Sequence, residues 1–145
     1  MEIKFKKVHT VKDLVISGAI VLAGAGLFFV NAGLGVVVAA SGIISLLIFK
    51  TGYKREGDDL LLKYKAMDVD HSCRQSLKGF LDGKDVTPEV KAQGNGGIVR
   101  LEVYFNRSSG VAYAQLFDFS SYTYEKATEI VELHSPRAEK LINKL

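Results

Sequence analysis

The stretch LVISGAIVLAGAGLFFVNAGLGVVVAASGIISLLIF, residues 14–49, runs for 36 positions without an Asp, Glu, Lys, Arg or His. As one helix it would be roughly 54 Å long, whereas the hydrocarbon core of a membrane is about 30 Å thick. Turn-forming residues cluster with a polar side chain only in NAGLG, residues 31–35. We therefore predict a transmembrane helical hairpin over 14–49 with its turn near 31–35.

Two other interpretations of this stretch are weaker. A cleaved signal peptide would explain Lys6 and Lys7 before an apolar segment, but the segment continues well beyond the best small-residue cleavage site at 38–40. A helix pair buried in a soluble protein would keep a polar stripe where its surface meets water. The uninterrupted apolar character of 14–49 therefore favours lipid as its surroundings.

Small residues recur on one face of each predicted helix at steps of three or four positions. Small side chains let two helix backbones approach closely in lipid. The predicted packing residues are Ala19, Ala23 and Gly26 on the first helix and Gly35, Ala39 and Gly42 on the second. The same faces also suit contact with a second copy of the chain, so a homo-oligomer is an alternative.

Basic residues flank the apolar stretch on both sides and are absent from its turn. They are Lys4, Lys6, Lys7 and Lys12 before it and Lys50, Lys54 and Arg55 after it. Because Lys and Arg are enriched in cytoplasmic loops, this pattern predicts a multi-pass protein of the cell (inner) membrane with both termini in the cytoplasm. Residues 1–13 are then a basic cytoplasmic N-terminus, residues 50–59 a connector, and the lipid bilayer the first partner.

Overall charge limits the other partners. The net charge is +3, and from residue 50 onward 15 Lys and Arg face 14 Asp and Glu. A nucleic-acid-binding surface normally has a stronger basic excess, so we predict no nucleic-acid partner. Cys73 is the only cysteine, which excludes an intrachain disulfide and suits a reducing compartment.

Residues 60–145 are predicted to form a small cytosolic α+β domain. The expected architecture is an antiparallel sheet packed against helices, with the elements in the order β-α-β-β-β-α. The first strand covers 60–67, and the helix after it covers 71–82 with Asp70 or Ser72 as its cap.

The clearest pattern in this domain is IVRLEVYFNRSSGVAYAQLFDF, residues 98–119. Apolar and polar residues alternate in its first half, SSG turns the chain, and a second strand follows, which together predict a β-hairpin. Residues 125–133 are predicted as a further strand, although a helix also fits their spacing. The C-terminal helix is expected to have Ser135 as N-cap and Pro136 at its first position.

Cys73 is the most suggestive candidate for chemistry, because it lies in DHSCRQS at the first turn of a predicted helix, where backbone N–H groups favour a thiolate. His71 and His134 are the candidate bases, but residues two apart on a helix point about 200° from each other. The pattern therefore favours a structural thiol over a catalytic one.

GNGG, residues 94–97, lacks the residues of a phosphate-binding loop and is predicted to be a flexible entry to a strand. No motif predicts a metal or a cofactor.

Aromatic residues concentrate on the predicted hairpin, and a sheet this small cannot bury both faces unaided. The first hypothesis is therefore a membrane-anchored interaction or accessory module that binds a protein partner through an aromatic surface including Tyr113 and Phe117. One alternative is a thiol-dependent enzyme at the membrane surface, which requires Cys73 to be exposed in a cleft near a histidine. The other is a small oligomeric pore formed by the hairpins, which would be favoured if Ser17 and Ser41 were buried and lined a water-filled channel.

Overall fold

A computed structural model describes residues 2–92 and 98–145. N-terminal helices are followed by a domain built on an antiparallel sheet, and the chain divides into two compact units. The first unit is Lys4–Asp59. The second is residues 60–145 together with the first residues of the chain, and it is called the sheet unit below.

The first unit consists of two antiparallel-packed helices, α1 (Val11–Phe28) and α2 (Ala32–Ile48). Thr10 caps α1, because its hydroxyl accepts a hydrogen bond from the Asp13 N–H while the Asp13 carboxylate accepts one from the Thr10 N–H. Asn31 caps α2 in the same way by accepting from the Leu34 N–H at 3.1 Å. The bend therefore lies at residues 29–31, slightly before the predicted position.

Two short strands close the open end of this helical hairpin. They are β1 (Phe5–Val8) and β2 (Gly52–Arg55), and they pair antiparallel from Phe5 opposite Arg55 to Val8 opposite Gly52. The sequence predicted only a basic segment and a connector here. Each of these strands has only four residues, which is too short for a clear strand pattern. The two segments pair because the helices bring them side by side.

The helices approach most closely at three glycines. A Cβ atom on Gly24 would lie 2.3 Å from the backbone nitrogen of Ala39, and one on Gly35 would lie 2.4 Å from that of Phe28. A Cβ atom on Gly42 would lie 2.7 Å from the side chain of Val21. The structure thus places the predicted residues of α2, Gly35, Ala39 and Gly42, at or beside the helix contact.

The face of α1 that the sequence predicted for packing is not the face that contacts α2. Ala19, Ala23 and Gly26 are exposed, and a Cβ atom on Gly26 would meet nothing within 4 Å. The buried positions of α1 are instead Asp13, Ser17 and Gly24. The sequence of α1 offers small residues on more than one face, and the geometry of the bend selects the face that carries Gly24.

The sheet unit contains five strands in the order β3-β4-β5-β6, with β7 also paired to β5. In chain order the elements are β3 (Lys63–Asp70), a 3-10 turn (His71–Cys73), α3 (Arg74–Leu81), β4 (Ile98–Asn106), β5 (Val111–Ser120), β6 (Thr123–Lys126), β7 (Val131–His134) and α4 (Arg137–Ile142). The predicted hairpin of β4 and β5 is confirmed, with Gly110 at a φ of 65° in its turn. One face of the sheet packs against α3 and α4 and forms the core.

Three details of the predicted order are corrected. Residues 125–133 form parts of two strands rather than one strand or a helix, because the ten residues of β5 pair with β6 and then with β7. Between these strands, the Thr128 hydroxyl accepts a hydrogen bond from the Leu116 N–H, and this contact holds the bend. The first strand of the sheet unit, β3, begins at Lys63 rather than at residue 60. Ser135 is not the N-cap of α4, since Pro136 holds that position and the Ser135 hydroxyl donates to Glu139.

The glycine contacts generate a test of the helical hairpin. Gly35→Ala should destabilise the hairpin by about 1–3 kcal/mol, because the added methyl group overlaps the backbone of Phe28. Gly26→Ala is the matched control, since its methyl group meets open space and alanine favours a helix. Thermal unfolding of the full chain in detergent micelles, followed by far-ultraviolet circular dichroism, measures both variants. Equal melting temperatures for the two variants would contradict this packing.

Candidate functional site

The candidate site is the face of the sheet opposite α3 and α4, which is called the outer face below. Side chains of residues paired directly across two antiparallel strands lie on the same face. The register of the sheet therefore collects aromatic and charged residues on the outer face: Tyr64, Asp68, Arg100, Glu102, Tyr104, Tyr113, Phe117, Phe119 and Tyr124. The alternate residues of β4 (Val99, Leu101, Val103 and Phe105) are buried in the core as predicted.

Arg100 is the centre of one cluster on the outer face. Its Nε atom donates to the Asp68 carboxylate at 3.2 Å, and its guanidinium lies 4.4 Å from the ring centre of Tyr124. The Tyr124 hydroxyl donates to the same carboxylate at 3.3 Å, and its ring contacts Phe119 at a centroid distance of 5.1 Å. The charges of this cluster are thus largely paired, whereas 41% of Phe119 and 36% of Tyr124 remain exposed.

A second cluster joins two tyrosines of β3 and β4. The rings of Tyr64 and Tyr104 lie 4.8 Å apart between centroids, and the Tyr64 hydroxyl donates to Glu102 at 3.0 Å. Partial burial and this hydrogen bond to a carboxylate raise the pKa of Tyr64 above its ordinary value. Tyr64 therefore stays protonated at neutral pH and acts as a hydrogen-bond donor.

The turn between β5 and β6 places one more aromatic side chain beside the outer face. Ser121 and Tyr122 both have positive φ, 50° and 63°, as the tight turn of a two-residue hairpin requires. Asn and Gly usually occupy such positions, because a left-handed conformation costs other residues roughly 1–2 kcal/mol each. At this strained position the Tyr122 side chain is 94% exposed.

The two residues predicted as an interaction surface differ in their exposure. Tyr113 is only 2% exposed, so it is not available for an interaction, whereas Phe117 is partly exposed beside Lys126. Both residues share the outer face, as their spacing predicts. The segment after β6 also contacts this face, where the Gln115 amide donates to the Thr128 carbonyl at 3.1 Å.

Cys73 and its candidate bases do not form a reactive site. Cys73 is fully buried in the core, whereas His71 and His134 are exposed. The His134 Nε2 atom lies 3.0 Å from a carboxylate oxygen of Glu132 on the same strand. The thiol is therefore not exposed as the enzyme alternative requires. The predicted loop at 94–97 lies outside the described residues.

The serines required by the pore alternative have other surroundings. Ser17 is 2% exposed, and the exposed Ser41 donates to the Val38 carbonyl of its own helix at 2.7 Å. The Ser41 hydroxyl is satisfied within its own helix and needs no water-filled channel. Among residues 2–92 and 98–145, no three His, Cys, Asp or Glu side chains group closely enough to bind a metal ion.

An ion pair fixes the start of α3 to the end of β5. Arg74 binds Asp118 through two hydrogen bonds, Nε to Oδ1 at 2.7 Å and Nη2 to Oδ2 at 2.9 Å. The hydrogen bond from Arg74 is the main cause that lowers the pKa of Asp118 below its ordinary value. Two parallel bonds also set the orientation of both side chains, so this pair positions the helix on the sheet.

Comparisons of this chain with known protein families, with curated proteins and with solved structures find no match.

The Arg74–Asp118 pair predicts a pH dependence of stability. Because folding lowers the pKa of Asp118, its ionised form stabilises the fold above its unfolded pKa, and this contribution is lost as pH falls through the lower folded value. Asp118→Asn should therefore lower the melting temperature at pH 7 and weaken its decline between about pH 5 and pH 2.

Thermal unfolding of the full chain in a nonionic detergent measures this effect. Asp85→Asn is the control, because Asp85 is exposed and forms no ion pair in the described part of the chain. Parallel pH curves for the wild type and Asp118→Asn would contradict the stabilising role of the pair.

Proposed function

We propose that this chain is an integral membrane protein whose helical hairpin spans the bilayer and whose sheet unit is an interaction module on the cytoplasmic side. The observation that carries the proposal is the distribution of exposed apolar side chains. Of the 22 large hydrophobic side chains that are exposed among the described residues, 16 lie between Val11 and Phe49. Exposed apolar surface of this extent is typical of a segment surrounded by lipid.

The dimensions of the helices support a membrane location. The 18 residues of α1 span about 27 Å and have a mean hydropathy of 1.8. Only 17% of this helix is buried, whereas a core helix of a soluble protein is mostly buried. The 17 residues of α2 are also apolar, and short spans are accommodated by local thinning of the bilayer.

The distribution of Lys and Arg supports one orientation of the hairpin in the membrane. All seven Lys and Arg residues of the first unit lie in, or within two residues of, the strands β1 and β2 and the helix ends next to them, and the bend at residues 29–31 carries none. By the positive-inside rule this end of the hairpin faces the cytoplasm. Both termini and the sheet unit then lie on the cytoplasmic side.

The outer face supports the interaction role. Arg100 and Asp68 are paired on this face, and Tyr64, Phe119 and Tyr124 supply its exposed aromatic parts, with Tyr122 exposed in the adjoining turn. Tyrosine and phenylalanine bury a large area at little entropic cost and are enriched at protein interfaces. The strained backbone at Tyr122 is a further indication of function, since such strain is retained mainly at functional sites.

The membrane topology can be tested with reporters in cells. A reporter fused after Leu145 should be active in the cytoplasm, and one inserted at Ala32 should be active on the opposite side. A shortened chain that lacks α1 would indicate a cleaved signal peptide. Activity of both reporters on the same side would contradict the spanning hairpin.

The interaction role can be tested by photo-crosslinking in cells. A photoreactive phenylalanine analogue at Phe119 should give a discrete adduct, because this exposed ring lies on the outer face. The same analogue at the exposed Lys140 on α4 is the control and should give none. An adduct of twice the chain mass would identify a second copy as the partner. Equal labelling from both positions would contradict a specific surface.

A further inference from the structure

The net positive charge of the protein lies in the first unit. Residues 4–59 contain seven Lys and Arg against four Asp and Glu, whereas the rest of the chain contains 12 of each. The whole net charge of +3 therefore belongs to the helical hairpin and its strands. Five lysines of this unit are called the lysine cluster below: Lys6, Lys7, Lys12, Lys50 and Lys54.

The strand pairing holds members of this cluster together against their repulsion. Lys6 lies directly opposite Lys54 in the register of β1 and β2. Like charges at directly opposed positions destabilise a pair of strands. Within the described residues, none of the five lysines forms an ion pair with a carboxylate of the chain. An external anion would remove this repulsion.

Asp13 is the carboxylate nearest in sequence to the lysine cluster, and it already accepts hydrogen bonds within the first unit. Asp13 is 6% exposed and accepts hydrogen bonds from the Thr10 N–H at 3.0 Å and the Thr51 N–H at 2.9 Å. It also accepts from the Thr51 hydroxyl at 2.9 Å. These bonds occupy the carboxylate inside the unit, so it is not oriented to neutralise the exposed lysines.

The position of the cluster relative to the apolar helices identifies the kind of anion. Lys12 lies in the first turn of α1, and Lys50 lies two residues after the end of α2. The strand β1 ends at Val8, only three residues before α1 begins. In a protein that spans the bilayer as proposed, these lysines lie at the level of the lipid headgroups.

We propose that the lysine cluster binds the phosphate groups of anionic phospholipids in the cytoplasmic leaflet and prefers them to zwitterionic lipids. This inference rests on the proposed function, because the headgroup level follows from the spanning hairpin. Lysines at the membrane surface attract anionic lipids, and the pairing of β1 with β2 fixes several of them on one rigid element.

Electron paramagnetic resonance of spin-labelled lipids tests the proposal. The full chain is reconstituted in phosphatidylcholine bilayers with a trace of labelled phosphatidylglycerol or labelled phosphatidylcholine, and the fraction of each lipid immobilised next to the protein is measured. The wild type should prefer phosphatidylglycerol. Lys6→Gln with Lys54→Gln should lower this preference severalfold, since one lysine near an anionic surface contributes roughly a fivefold effect. Salt at about 0.5 M should also lower it.

Lys126→Gln with Lys140→Gln in the sheet unit is the matched control and should leave the preference unchanged. Lys7→Gln with Lys12→Gln is a second variant that should also lower the preference. Circular dichroism establishes that each variant is folded before its preference is compared with that of the wild type.

The possible failures are distinguishable. Equal immobilisation of both lipids by the wild type would overturn the lipid preference and leave membrane insertion intact. The absence of any immobilised lipid would overturn both the preference and the spanning hairpin. Displacement of labelled phosphatidylglycerol by single-stranded RNA at equal phosphate concentration would overturn the proposal in favour of a nucleic-acid site.

Discussion

The carboxylate of Asp13 joins the two ends of the helical hairpin. It completes the cap of α1 at Thr10 and accepts two hydrogen bonds from Thr51, which follows α2. The His9 ring lies 3.0 Å from the Phe49 carbonyl and adds a second link between the same segments. Because these contacts bring the chain before α1 beside the chain after α2, β1 and β2 can pair, and their pairing in turn sets the lysines opposite each other.

The sequence predicted those parts of the fold in which a local pattern coincides with burial. The apolar stretch predicted two helices, and the alternation in 98–106 predicted a half-buried strand whose inner residues are now seen in the core. It did not predict β1, β2 or the division of 125–133 between β6 and β7. These short strands have no periodicity, and they exist because a longer element holds them in register.

The sequence predicted an aromatic surface on the sheet but not which residues of that surface are exposed. Aromatic enrichment on the hairpin indicated a surface, yet sequence spacing cannot separate Tyr113, which is buried, from Phe119, which is exposed. The two residues share a face, and their exposure depends on which parts of that face the folded chain covers. Arg100 was not selected at all, because its role depends on Asp68 and Tyr124, which are far from it in sequence and meet it only in the folded sheet.

The two units use charge in opposite ways, and this difference bears on how each would recognise a partner. In the sheet unit, Arg100 on the outer face is paired with Asp68, and Arg74 is paired with Asp118. Recognition by the outer face would then depend on apolar contact and shape, which salt screens little. In the first unit the five lysines of the lysine cluster have no carboxylate partner among the described residues, so binding there would weaken as the ionic strength rises. Salt dependence therefore separates the contribution of the lysine cluster from that of the outer face in the same full-length protein.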